Sequence, residues 1–300
     1  MKFQQDYSKL LDPEFVAKID GLDLKARLVV EGFMIGLHRS PYHGFSVEFS
    51  EHRQYMPGDE ISRIDWKAFA KTDKYYIKQY EEETNLKAYI ILDSSRSMSY
   101  SSGSISKYHY GSILAAALSY LMINQNDSVG LVQYSTKLDK VIPPRASRNN
   151  LMEILKSLSS TQPGNATNSA ECLNLVSEKI NRRGLVIIIS DFFDDLQKVL
   201  TAIKRFRSKK NEIIIFQVLD KQELDFNFGR DSIFKDLETE EELLTQPYHI
   251  QKSYRELFDS FLKKLSVECG NNQIEYNLIT TDQSYDKALL SFLKKRQKLY

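Results

Sequence analysis

From Lys87 onward the chain alternates short, almost wholly apolar runs with longer segments of helical spacing. The runs Lys87–Leu92, Ser128–Tyr134, Leu138–Ile142, Leu185–Ile189, Ile213–Leu219 and Ile274–Ile279 have the length of strands. Between and after them, Lys107–Asn124, Asn149–Leu158, Asn168–Asn181, Asp194–Arg207, Gln251–Cys269 and Tyr285–Lys298 read as helices. A strand that is apolar on both faces must be covered on both faces. The alternation therefore predicts a doubly wound α/β fold, a mostly parallel sheet flanked by helices. Pro143-Pro144 is expected to end the strand at Leu138–Ile142, and a longer irregular stretch is expected after Leu219.

The first 85 residues follow a different pattern. Pro13–Ile19 and Leu22–Ile35 read as helices, Ser46–Tyr55 as a strand, Pro57-Gly58-Asp59 as a turn, Ile61–Phe69 as a helix and Lys74–Tyr80 as another strand. This portion is rich in aromatic residues and contains Arg39, Arg53 and Arg63. It predicts a small N-terminal α+β extension over residues 1–85, followed by the main α/β domain over 86–300. Within the extension, Arg53 with Asp59 and Arg63 with Asp65 are expected to pair, and Trp66 is expected to anchor the packing.

Composition narrows the possibilities. The 300 residues carry 41 Lys+Arg against 40 Asp+Glu, a formal charge of +1, so a whole-chain basic footprint for nucleic acid is absent. The longest apolar stretches, Ile113–Ile123 (broken by Ser119) and Leu185–Ile189, fall short of the ~20 residues that a spanning helix needs. The start, Met1-Lys2-Phe3-Gln4-Gln5-Asp6, has no apolar core of a secretory signal. Cys172 and Cys269 lack the spacing of a disulfide framework or a zinc site. A soluble, cytoplasmic protein is the expectation.

Doubly wound sheets bind ligands outside the carboxyl ends of their strands, where the strand order reverses. Polar residues collect at those ends. The first apolar strand runs into Asp93-Ser94-Ser95-Arg96-Ser97, a D-x-S-x-S array, and the strand at Leu185–Ile189 runs into Ser190-Asp191. The turn Pro163-Gly164-Asn165-Ala166-Thr167-Asn168 delivers Thr167 at a helix start. Taken singly, these residues have ordinary readings as turn formers and helix caps. Taken together, Asp93, Ser95, Ser97, Thr167 and Asp191 form a set of hard oxygen donors suited to Mg²⁺ or Mn²⁺ rather than zinc. Alternate residues of a loop leaving a strand can point the same way. Two carboxylates roughly balance a divalent ion, and the hydroxyls fill positions without adding charge.

This arrangement resembles the metal-ion-dependent adhesion site of von Willebrand factor A domains. Upstream, Gly36-Leu37-His38-Arg39-Ser40-Pro41, Gly44-Phe45-Ser46-Val47-Glu48-Phe49, Arg53-Gln54-Tyr55-Met56-Pro57-Gly58-Asp59 and Arg63-Ile64-Asp65-Trp66-Lys67 resemble the signature of the domain-of-unknown-function 58 family, as does Asp236-Leu237-Glu238-Thr239. The resemblance implies a von Willebrand factor A-like fold and association with MoxR-type AAA+ ATPases, without an established activity. With a donor set that leaves a position on the ion open for an outside oxygen, the expectation is a non-enzymatic, metal-dependent interaction or scaffold protein, with a partner Asp or Glu carboxylate completing the ion. Two positions depart from the wider pattern: Asp191 is followed by Phe192-Phe193 where Gly is common, and Ala166 stands where a second Gly is common.

The alternatives are a Mg²⁺-dependent hydrolase or a nucleic-acid-binding protein. A phosphatase using an aspartyl nucleophile needs a second acid two residues on, and Ser95 stands there. No phosphate-binding Gly-rich loop, H-E-x-x-H helix or G-x-S-x-G elbow occurs. His38, His43, His52, His109 and His249 show no metal-ligand spacing. Tyr42, Tyr55, Trp66, Tyr75 and Tyr76 with nearby arginines could stack on single-stranded nucleic acid, but packing within the extension is the simpler expectation.

Overall fold

The computed structural model describes residues 7–39, 52–54, 66, 69, 74–78, 86–164, 166–180, 183–228, 232–235, 242–245 and 247–297. One sheet contains six strands: β1 (Lys87–Asp93), β2 (Ser128–Tyr134), β3 (Leu138–Arg145), β4 (Leu185–Ser190), β5 (Glu212–Leu219) and β6 (Glu275–Thr280). Their spatial order is β6-β5-β4-β1-β2-β3. Neighbours run parallel, except that β3 pairs antiparallel with β2. The sheet is doubly wound and mostly parallel, as the alternation predicts, and its order reverses between β1 and β4.

Successive residues of the central strands point to opposite faces, and each face has its own apolar core. On one face Ala88, Ile90 and Leu92 of β1 join Leu185, Ile187 and Ile189 of β4. That face is covered by α3 (Lys107–Asn124), α4 (Arg148–Ser160) and α9 (Asp286–Gln297). On the other, Ile91, Val186 and Ile188 meet α5 (Ser169–Lys179), α6 (Leu196–Ser208) and α8 (Pro247–Asn271). Burial on both sides explains why the strands read as continuous apolar runs.

Helix α3 is apolar almost all round, so the sheet can cover only one side of it. The rest is covered from the N-terminus, where Val16 of α1 (Pro13–Ala17) and Ala26, Val29, Val30 and Phe33 of α2 (Leu22–Arg39) share its core. The expected boundary at residue 85 therefore does not separate these two helices from the main core. Of the remaining extension, His52–Gln54 pairs antiparallel with Tyr76–Lys78, in register with two of the expected strands. Asp59, Arg63 and Asp65 lie outside the described residues, as does most of the helix expected at 61–69.

Three expectations need correction. Strand β3 continues through Pro143-Pro144 to Arg145, because an edge strand can carry residues without N–H groups where a bulge breaks the pairing. The bulge brings β3 so close to β2 that a Cβ on Gly130 would lie 2.7 Å from the Ile142 carbonyl oxygen. The stretch after Leu219 is not irregular throughout. It holds α7 (Lys221–Asp225) and an antiparallel ribbon of Ser232–Lys235 with Glu242–Thr245. Trp66 is not a buried anchor: it is 56% exposed, edge-on to Phe69, which in turn stacks on Tyr75 at 4.5 Å.

Candidate functional site

Asp93 closes β1 and Ser190-Asp191 closes and follows β4, so the two acids lie at the reversal of strand order. Asp93 is held by three donors. The Ser95 N–H donates to Oδ1 at 2.8 Å, and the Ser190 hydroxyl and Tyr134 hydroxyl donate to Oδ2 at 2.7 and 3.3 Å. Ser95 precedes the short 3₁₀ turn Arg96–Ser99, which curls the loop back and sets the Ser95 and Ser97 hydroxyls 3.1 Å apart. Thr167 joins through a relay of hydroxyls. Its Oγ1 lies 3.3 Å from Ser169 Oγ, which in turn lies 3.4 Å from the Tyr134 hydroxyl oxygen. The structure thus gathers Asp93, Ser95, Ser97 and Asp191 at neighbouring strand ends, with Thr167 linked one step further out.

The position after Asp191 shows how the chain accommodates its departure from glycine. Phe192 is buried and has φ +61°, in the left-handed region that bulky side chains avoid. Such a residue costs about 1–2 kcal/mol. In return its N–H reaches Ser190 Oγ at 2.9 Å, and the Phe193 N–H reaches Asp191 Oδ1 at 3.2 Å. Asp194 then donates its N–H to the Phe192 carbonyl oxygen at 2.9 Å and accepts the Ser169 N–H at 2.8 Å, tying this loop to the start of α5.

Sequence reasoning missed the cation of the site. Lys107, the first residue of α3, is completely buried. Its Nζ donates to Asp191 Oδ2 at 2.8 Å and to Glu223 Oε1 at 2.6 Å, and lies 4.7 Å from the centre of the Phe193 ring. Glu223 belongs to α7, where it also completes a capping box with Asp220. Asp220 in turn is held by the Ser102 N–H at 2.9 Å and the Gln222 N–H at 2.8 Å. One signal was available: Lys107 is the sole Asp, Glu, Lys or Arg in this 18-residue helix.

Electrostatics follow from burial. Asp93 is pushed well above the ordinary carboxylate range, first by desolvation and then by the neighbouring Asp191 charge, against the hydrogen bonds from Ser95 and Ser190. Burial would lower the Lys107 pKa, but Asp191 and Glu223 together hold it above its usual value. Glu223 is raised because desolvation outweighs Lys107. Among the described residues, no three His, Cys, Asp or Glu side chains are grouped to hold a metal. The donor set here is two carboxylates with hydroxyls. Asp93, Ser95 and Asp191 are buried, while Ser97 and Thr167 keep partial exposure.

Fold and site together define a doubly wound α/β module with an oxygen-rich, acidic cluster at the carboxyl ends of its central strands. The chain belongs to the family described as protein of unknown function DUF58, which matches residues 51–265. It is 25% identical over 234 residues to the uncharacterized protein Rv1480 of Mycobacterium tuberculosis (strain ATCC 25618 / H37Rv), covering 76% of this chain and 72% of that one. The uncharacterized protein Mb1516 of Mycobacterium bovis matches to the same extent. Among solved structures, the conserved hypothetical protein BatB from Bacteroides thetaiotaomicron aligns with a TM-score of 0.47 and 15% identity, over 72% of this chain and all of that chain. The SpRpn10 VWA domain aligns with a TM-score of 0.42 and 9% identity, over 69% of this chain and 94% of that one. Among the described residues, no helix is long and apolar enough to cross a membrane.

Proposed function

We propose that the chain is a non-enzymatic interaction protein that holds Mg²⁺ or Mn²⁺ at Asp93, Ser95, Ser97, Thr167 and Asp191, and that takes a carboxylate of a partner protein at the ion. The observation that carries this reading is the buried pair Asp93 and Asp191 at the reversal of strand order. Buried carboxylates are costly unless compensated. The ammonium of Lys107 pairs with Asp191 and Glu223, and Asp93 adds a third acid beside Asp191. Two negative charges are left over when all three acids are ionised, which is the charge of one divalent ion. The donor chemistry fits as well, being carboxylate and hydroxyl oxygen with no sulfur or imidazole.

Asp93 and Asp191 would hold the ion, directly or through water, and the hydroxyls of Ser95, Ser97 and Thr167 would complete its surroundings. Bound there, the ion would supply an electrophilic position for an incoming anion. Ser97 and Thr167, the partly exposed members, mark the side from which a partner approaches. The family resemblance supports a MoxR-type AAA+ ATPase, or the protein it acts on, as that partner. Titration of the purified protein with Mg²⁺ and with Mn²⁺ tests the first half, and absence of binding at millimolar ion with an intact fold rejects it. Capture of a purified MoxR-type ATPase in Mg²⁺ and in chelator tests the second, and capture that ignores chelation rejects it.

A further inference from the structure

Lys107 stands where a lysine is least expected. It occupies the first turn of a helix, where the aligned peptide dipoles disfavour positive charge, and it has no exposed surface. What holds it there is specific: the carboxylates of Asp191, just after β4, and Glu223, on α7, at 2.8 and 2.6 Å, under the face of Phe193. One of those carboxylates, Asp191, is also a member of the candidate metal set. Its Oδ2 accepts from Lys107 and its Oδ1 from the Phe193 N–H, so neither oxygen is idle.

We infer that Lys107 is the resident cation of the site and competes with a divalent ion for Asp191. The inference rests on the metal reading above and names how that site is regulated. With no divalent ion, Lys107 bridges Asp191 and Glu223 and keeps the loop after β4 ordered. When an ion binds beside Asp93, Asp191 must turn part of its charge from the ammonium to the ion, and Glu223 keeps Lys107 neutralised while it does so. Glu223 is suited to this because α7 fixes it independently, through its bond to the Asp220 N–H at 2.9 Å. Lys107 and Glu223 are thus positioning residues that act through Asp191. Together they set the affinity low enough for the ion to come and go with the partner.

The test is titration with Mn²⁺ or Mg²⁺ alone on the full chain, comparing wild type, Lys107→Met and Glu223→Gln, with circular dichroism confirming the fold. Lys107→Met should bind at least tenfold tighter, because it removes a positive charge from the ion's surroundings and frees an Asp191 oxygen. Glu223→Gln should bind several-fold weaker, because Lys107 then has Asp191 alone. Lys107→Met leaves two buried carboxylates unpaired, so the double variant Lys107→Met/Glu223→Gln guards against failure to fold. It should bind at least tenfold tighter than Glu223→Gln, from which it differs only at Lys107. Lys198→Met, which deletes an exposed positive charge on α6, is the control and should leave affinity unchanged.

The outcomes separate the two readings. Wild-type binding with neither Lys107→Met tighter than wild type nor the double variant tighter than Glu223→Gln overturns the competition and leaves the metal reading standing. A silent wild type with binding in Lys107→Met supports the competition and overturns the metal reading for the natural chain. Silence in every folded variant overturns both.

Discussion

Asp93 accepts three hydrogen bonds inside the protein, which gives its substitutions opposite stability effects. Asp93→Ala strands the Ser95 N–H and two hydroxyls and should cost about 2–4 kcal/mol in urea unfolding. Asp93→Asn keeps an acceptor for the Ser95 N–H, lets the hydroxyls reorient and removes a buried charge beside Asp191. It should be at least as stable as wild type in chelator while losing any ion binding, so it is the variant in which to ask about partner capture. Trp66 is a simpler case. At 56% exposure its truncation should cost under about 1 kcal/mol, and a loss of 3 kcal/mol or more would mean the ring is covered in solution. The sequence pointed the other way there because a dense set of aromatics resembles a core. Exposure depends on neighbours that spacing does not reveal.

At the level of elements, the central strands were legible because each is buried on both faces. Helix α3 was legible as a helix for the same reason, but what covers it was not. The covering helix α2 places Lys25 Nζ 3.1 Å from His109 Nε2 and 3.1 Å from the Ala17 carbonyl oxygen. Burial, then the Lys25 charge, lowers the His109 pKa. A histidine whose folded pKa lies below its unfolded value binds its proton more readily when unfolded. It therefore contributes stability that is present above the unfolded pKa of ~6.5 and is lost as pH falls through the folded pKa. Wild type should lose stability relative to His109→Gln as pH falls below about 6.5, read as the difference between their denaturant midpoints. The site itself was half legible. Its acids sit at strand ends, where sequence reasoning looks for them. Lys107 reads as a solvated helix start, and Glu223 falls in a stretch with little periodic signal.

For the molecule as a whole, α9 is tied to the start of the sheet by Lys295 with Glu212 of β5 and by Arg296 with Asp127. Arg296 of α9 donates to Asp127, which is fully buried just before β2 and whose Oδ1 has no partner. Desolvation outweighs the arginine and lifts Asp127 to about 6. Arg296→Met should destabilise the protein by about 3–5 kcal/mol at pH 8, since it leaves a buried charge unpaired. Because the folded pKa lies above the unfolded one, the loss should shrink as pH falls toward 5, and Asp127→Asn should recover much of it. A different consequence attaches to the two prolines of β3. At that edge the sheet offers an approaching strand a kinked border from which two successive N–H donors are missing. A second copy cannot zip onto it as a continuous ladder. This edge of the sheet is protected against edge-to-edge strand addition, so crowding of many copies around a shared partner need not seed fibres there.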